Sequence, residues 1–281
     1  MPQLGVSRNS SVAAPELTAW QRVQLARHPQ RPHTLDYVQL AFTDFVELHG
    51  DRLFADDAAI VGGPALLDGR AVMVIGHQKG RDTKDNLLRR FGMARPEGYR
   101  KALRLMRQAE KFSVPIITLI DIPGADPSLP AEERGQAFAI AENLLAMAQL
   151  RVPFVSVIIG EGGSGGALAL GVGDRVLMLE NAIYSVASPE AAASILWNDG
   201  GRGAEAAEAM KITAPDLLRF GVIDTIVDEP AGGAHNDYAA AARFVHDALV
   251  QQLVDLGGQP IDSLLAQRAD RYRRIGAFQE A

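Results

Sequence analysis

The 281-residue chain contains no cysteine. That single absence removes disulfide frameworks, thiolate zinc sites, iron–sulfur clusters and cysteine nucleophiles from consideration. Its six histidines, at positions 28, 33, 49, 77, 235 and 246, show no H-E-x-x-H or comparable ligand spacing, so no metal is expected. No run approaches the roughly 18 uninterrupted apolar residues of a membrane-spanning helix. Positive charge is in deficit: 28 Lys and Arg against 34 Asp and Glu give a net charge of −6, which argues against non-specific nucleic-acid binding. Residues 1–14 are small and polar without an apolar h-region, so they are expected to form a flexible start and not a signal peptide, and the chain is expected to be cytoplasmic. Nothing marks a linker, and residues 15–281 are expected to form one domain.

What the chain has in plenty is glycine in one place. Residues 160–166 read Gly-Glu-Gly-Gly-Ser-Gly-Gly, after the apolar run Phe154–Ile159 and before Ala167-Leu168-Ala169-Leu170. Glycines at a strand-to-helix turn bring backbone amides to contact distance of a ligand, and a helix start favours negative charge. Three readings of this loop stay open on the residues alone. Gly160, Gly162 and Gly165 fit the dinucleotide fingerprint, although only about Ala167–Val172 can be helical before Gly173-Asp174. Gly162–Gly166 fits a nucleophile elbow with Ser164 as nucleophile, for which Asp224 or Asp228 and His235 or His246 would have to complete a triad. The third reading is an oxyanion hole of peptide amides, which needs no side-chain nucleophile. A turn built only for close packing is the plain alternative to all three.

Along the rest of the chain, helical patterns run from Pro15 to His28, with Leu17, Trp20 and Leu25 as buried anchors, and from Thr34 to about Leu48. Two strands, Ala59–Leu67 and Arg70–Gln78, flank Asp68-Gly69, a two-residue hairpin signal. Residues 77–95 break periodicity and carry six basic side chains, read either as a solvated loop or as an anion or partner contact. A helix over Pro96–Phe112, a strand over Ile116–Ile120, a turn at Pro123-Gly124-Ala125, a helix over Ala131–Leu150 and the strand Phe154–Ile159 then follow. Strand, turn, helix, strand is the layout of a parallel sheet with its ligands at the carboxyl ends of the strands. Arg175–Leu179, Ala182–Val186 and Val222–Val227 read as strands, Ser188-Pro189-Glu190 opens a helix to Trp197, and 236–256 and 260–275 are closing helices, the last with Arg268, Arg271, Arg273 and Arg274 on a solvated face.

Together, Leu25–Pro32 (Leu-Ala-Arg-His-Pro-Gln-Arg-Pro), Gly76–Arg81, Pro96–Ala102, Gly160–Ala167 and Ser188-Pro189-Glu190 through Ile195-Leu196-Trp197 resemble the alpha subunit of the carboxyltransferase component of bacterial acetyl-CoA carboxylase. The resemblance implies an α/β, crotonase-like superhelix of repeated strand–strand–helix units with flanking helices. It implies a beta subunit of the same fold, an α2β2 assembly, and transfer of a carboxyl group from biotin on a biotin carboxyl carrier protein to acetyl-CoA, forming malonyl-CoA for fatty-acid synthesis. The beta subunit would hold the thioester oxygen and a four-cysteine zinc ribbon, which suits a cysteine-free partner. By the same resemblance the amides of Gly162, Gly163, Gly165 and Gly166 serve the biotin side, with Ser164 shaping the turn, Gly124 and Ala125 lining the same cleft, and Lys79 and Arg81 meeting an anionic group of CoA or the partner. Asp126 stands where the family has an aromatic residue, which would alter the charge beside the cleft, and only 19 residues precede Trp20 where the family carries a longer helical segment. A stand-alone acyl-CoA hydrolase or isomerase, using Glu161 or Glu190 as acid or base, and a non-catalytic scaffold are the alternatives.

Overall fold

The computed structural model describes residues 17–276. The expected flexible start and the first two residues of the expected Pro15–His28 helix lie outside these residues. Seven strands form one sheet: β1 (Ile60–Leu67), β2 (Arg70–His77), β3 (Ile116–Ile122), β4 (Phe154–Gly163), β5 (Arg175–Leu179), β6 (Ile183–Ser185) and β7 (Thr225–Val227). Their order is β1-β2-β3-β4-β5-β7, with β6 pairing β4 off that path. The β1–β2 pair is antiparallel and turns at Asp68 (φ 48°) and Gly69 (φ 76°), the two left-handed positions that an Asp-Gly hairpin supplies. All other strand pairs are parallel, and β3 and β4 are buried along their whole length, as strands covered on both faces must be.

Helices α1 (Ala19–Ala26), α2 (Thr34–Ala41), α3 (Thr83–Leu88), α4 (Pro96–Lys111), α5 (Leu129–Glu133), α6 (Gln136–Met147), α7 (Ser164–Leu168), α8 (Pro189–Trp197), α9 (Gly203–Met210), α10 (Ala214–Arg219), α11 (Tyr238–Gly257) and α12 (Ile261–Arg273) surround the sheet. One main core joins β1–β5 to α2, α4, α6 and α11. Within it Leu105, Ile117 and Phe154 are fully buried, each contributing about 1.5–3 kcal/mol of transfer free energy.

Four sequence expectations change on folding. The helix from Thr34 stops at Ala41, because residues 43–48, turned at Asp44 (φ 53°), run beside β1: the amides of Thr43, Val46 and Leu48 donate to the carbonyls of Leu66, Pro64 and Gly62 at 2.9–3.0 Å. The span 131–150 breaks at Gly135 (φ 84°), which separates α5 from α6. On α1 the buried face is Ala19, Arg22, Val23 and Ala26, while Leu17 is exposed and Trp20 and Leu25 are half-buried. Arg268 is not on a solvated face of α12 but 1% exposed, bonded to both oxygens of Asp174 and to the carbonyls of Met147, Leu150 and Val152.

β4 also outruns its apolar residues. It continues through Gly163 because β6 offers a parallel partner to Glu161, Gly162 and Gly163, while an irregularity in register between Ile120 and Ile122 marks where β3 meets the same stretch. The first half of β4 is therefore held by β3 and β5 and its last part by β6. Residues 160–163 of the glycine run are therefore strand, and 164–166 open α7.

Candidate active site

The carboxyl ends of β2, β3 and β4 converge on a buried network of charges. Lys79, just after β2, donates to Asp121 Oδ1 on β3 at 2.7 Å and to Glu161 Oε2 on β4 at 2.9 Å. The amide of Glu161 donates to the same Asp121 oxygen at 3.0 Å, and His33 Nδ1 lies 3.1 Å from the other. Arg27 reaches Glu161 Oε1 at 2.6 Å through Nε and Glu190 Oε1 at 2.6 Å through a terminal nitrogen. Burial opposes charging both Asp121 and Lys79, but each outweighs it for the other. With His33 assisting, the Asp121 carboxyl is held well below the usual range, and with Glu161 assisting the Lys79 ammonium is held above its own. Behind them His77 is fully buried, and burial, aided by Lys79 and opposed by Asp121 and the Gly166 backbone, pushes it down to about 3.

The segment after α1 is clamped over this network. Arg31 donates to the carbonyl of Ile159 at 2.7 Å and pairs with Glu229 at 2.5 Å, both side chains being buried. Two residues of the Leu25–Pro32 motif, Arg27 and Arg31, thus fasten it to the end of β4, to the start of α8 and to the segment after β7. A buried pair of this kind is costly to break, because removing one partner strands the other charge at roughly 3–5 kcal/mol.

Beside the network, the turn after β3 and the turn after β4 touch through backbone. A Cβ on Gly163 would stand 2.1 Å from the carbonyl oxygen of Pro123, and one on Gly166 2.8 Å from the amide nitrogen of Ala125. Gly124 has nothing within 4 Å of that position, and Gly165 meets only Ile140 at 3.8 Å. Ser164 is exposed with φ 54° and turns the chain from strand into α7. Amides in the first turn of α7 have no intrahelical acceptor. The expected site glycines therefore divide. Gly162 and Gly163 wall a narrow passage with Arg27, Pro123, Glu161 and Ser185, Gly165 opens with Ser164 onto an apolar cavity of about 380 Å³ that includes Leu168, Val186 and Leu217, and Gly166 is packed inside.

Lys79 and Arg81 line a third cavity, of about 290 Å³, with Arg27, His33, Phe91, Pro123 and Glu161 among its walls. Arg27, Pro123 and Glu161 line both this cavity and the narrow passage, and Ser185 lines both the passage and the apolar cavity, so the three adjoin in a row, termed the groove. Neither basic side chain is free in it. Lys79 is held by its two carboxylates, while Arg81 pairs with Asp36, donates to the carbonyl of Arg31 at 2.8 Å and lies over the Tyr238 ring. Asp126 does not charge the groove either. It is buried and bound by Arg95 at 2.7 Å, and although burial opposes ionisation, Arg95 and the Ser128 amide keep its carboxyl below the ordinary range.

Two readings of the glycine run lose their support. α7 has five residues, too short for a dinucleotide crossover helix. Ser164 has no base: His246 bonds Asp68 and Asp247, His235 stacks on His28 at 3.8 Å, and no histidine lines the Ser164 cavity. Glu161 and Glu190, the acids of a stand-alone hydrolase, are held in ion pairs. Sequence reasoning had not given a site role to Arg27, His33, Asp121 or Phe91. For Asp121 a signal was present, a lone acid closing an apolar strand. Among the described residues no group of three or more metal-ligating side chains occurs, and no helix is long and apolar enough to cross a membrane.

A family model described as acetyl co-enzyme A carboxylase carboxyltransferase-like matches residues 6–276. The acetyl-coenzyme A carboxylase carboxyl transferase subunit alpha of Geobacter metallireducens is 60% identical over 275 residues, covering 98% of this chain and 86% of that protein. Its counterpart in Thermus thermophilus is 59% identical over 264 residues, covering 94% and 85%. Among solved structures, transcarboxylase 12S with methylmalonyl-coenzyme A and methylmalonic acid bound aligns with a TM-score of 0.66 at 17% identity, over 84% of this chain and 44% of that one. A Pseudomonas malonate decarboxylase hetero-tetramer in complex with coenzyme A aligns with a TM-score of 0.62 at 22% identity, over 78% and 88%. At these identities the structural likeness is one of fold, and the fold is the crotonase-like one expected. Matched along nearly its whole length, the chain belongs to the family of acetyl-CoA carboxylase carboxyltransferase alpha subunits.

Proposed function

We propose that this chain forms one side of a carboxyltransferase site, at which a carboxyl group passes from biotin on a biotin carboxyl carrier protein to acetyl-CoA to give malonyl-CoA, with a beta subunit completing the site in an α2β2 assembly. The observation that carries the reading is the backbone contact between the Pro123–Ala125 and Gly163–Gly166 turns, which gathers amides at the carboxyl ends of two central strands with no nucleophile or free base beside them. Such an arrangement stabilises charge developing on an oxygen and does little else.

Biotin brings the carboxyl group and a ureido oxygen on which negative charge develops as that group leaves. The groove suits its neutral ring, because the cations of the Lys79 cavity are already paired and Pro123, the residue before the Gly124 amide, stands in its wall. In this reading the amides of Gly124, Ala125 and Gly165 are the donors, each worth about 10²–10³ in rate, and Gly166 is packed behind them. Gly162 and Gly163 are the close-packed wall behind them, and Ser164 sets the turn. Lys79 acts by fixing Asp121 and Glu161, and Arg81 by fixing the segment that carries Arg31.

The test is malonyl-CoA-dependent carboxylation of a free biotin derivative by this chain alone, a beta subunit alone and the two mixed. Activity is expected only in the mixture. Activity of this chain alone would favour a hydrolase or isomerase, and none in a verified assembly would leave a scaffold or another acyl-CoA.

A further inference from the structure

Residues 90–92 carry three successive left-handed backbones, Arg90 at φ 48°, Phe91 at 56° and Gly92 at 83°. Only the last is glycine. The conformation is unfavourable for any side chain and more so for a bulky aromatic, and it persists where the surroundings over-determine it. Here they do. The Arg90 guanidinium pairs with the buried carboxylate of Asp57, Arg89 donates to the carbonyl of Ala58 at 2.8 Å, and Gly92 is wedged so that a Cβ would lie 3.1 Å from both the Asp121 carbonyl and the Lys79 chain. What this holds in place is not a core residue. The Phe91 side chain remains 48% exposed in the wall of the cavity that Lys79, Glu161 and Pro123 share. Burial does not account for a strained aromatic displayed at the mouth of a polar cavity.

The charges around it indicate what it faces. Arg27 is taken by Glu161 and Glu190, Lys79 by Asp121 and Glu161, and Arg81 by Asp36, so this end of the groove has no unpaired cation for a phosphate. Phe91 and Pro123 both line this cavity of about 290 Å³, so it offers a neutral, flat group an aromatic ring and an uncharged turn, with the Gly124 and Ala125 amides next along the chain from Pro123. We infer that Phe91 is a substrate-contacting residue whose ring packs against the neutral bicyclic head of biotin on the carrier protein, an inference that rests on the carboxyltransferase reading above.

The test uses Phe91→Gly in the assembled alpha–beta complex with biocytin as the probe. Glycine accepts the left-handed backbone, so the Tm of the variant is expected to be no lower than that of the parent. The KM for biocytin, and its Kd measured by calorimetry, are expected to rise about tenfold. The KM for malonyl-CoA should hold, and Phe91→Tyr, which keeps the ring, should retain the parental constants. Unchanged biocytin constants would overturn the inference. A rise confined to malonyl-CoA would give the ring to the thioester substrate, and a fall in Tm or loss of assembly would make Phe91 a structural or subunit contact, each with the same result. A parent complex that assembles but transfers no carboxyl group would remove the carboxyltransferase reading itself and this inference with it.

Discussion

Gly163 and Gly165 lie two positions apart and differ in what one added carbon would meet. At Gly163 it would strike the Pro123 carbonyl at 2.1 Å, whereas at Gly165 it would touch only the Ile140 side chain at 3.8 Å. Gly163→Ala should therefore lower stability by about 1–3 kcal/mol, read from the urea midpoint. Gly165→Val should leave the midpoint close to that of the parent while reducing carboxyl transfer by about 10²-fold or more. A folded, assembled and fully active valine variant would remove Gly165 from the donor set. The presence of the glycine run was legible from its letters, but its division into wall, turn and packing was not. That division is decided by a turn some forty positions earlier in the chain, and composition carries no record of which backbone comes that close.

At the scale of elements, legibility followed how locally each was determined. The hairpin at Asp68-Gly69 was readable because the turn residues themselves supply the left-handed backbone. The end of α2 was not, because residues 43–48 take up hydrogen bonds with β1 that no helical pattern anticipates. The same holds for the last residues of β4, which owe their strand form to β6. α12 is the clearest case of a distant partner overriding a local reading, since its Arg268 is a tie rod and not surface charge. Arg268→Ala would strand the Asp174 carboxylate and three carbonyls, and should cost about 3–5 kcal/mol in equilibrium unfolding. A loss below about 1 kcal/mol would show that α12 contributes little to holding the sheet.

For the whole molecule, the buried pairs set the response to acid. Asp51, Asp121, Asp126 and Glu229 resist burial but are brought below their ordinary values by cations and amides, and Asp56 is lowered to about 2, burial again being outweighed, here by Lys101 and the Gly50 amide. Because the unfolded chain takes up protons before these groups do, their stabilisation is complete above the unfolded carboxylate range and is lost progressively as the pH falls from that range through their lowered folded values. His77 adds a second slope at higher pH. Its folded value near 3 against 6.5 unfolded means that stability falls by up to about 1.4 kcal/mol per pH unit below 6.5. Chemical denaturation at about pH 7.5 and about pH 5 should show the parent losing roughly 2 kcal/mol more than His77→Leu between the two. Equal losses would mean that His77 is charged or solvated in the native protein. The Arg31–Glu229 clamp has a consequence for how the protein comes into being. Its two halves are separated by 198 residues, so at about 5–20 residues per second a ribosome has made the arginine roughly 10–40 s before its carboxylate exists. Until then Arg31 has only backbone carbonyls such as that of Ile159 to hold it, and chains released before residue 229 lack the carboxylate half of the clamp altogether.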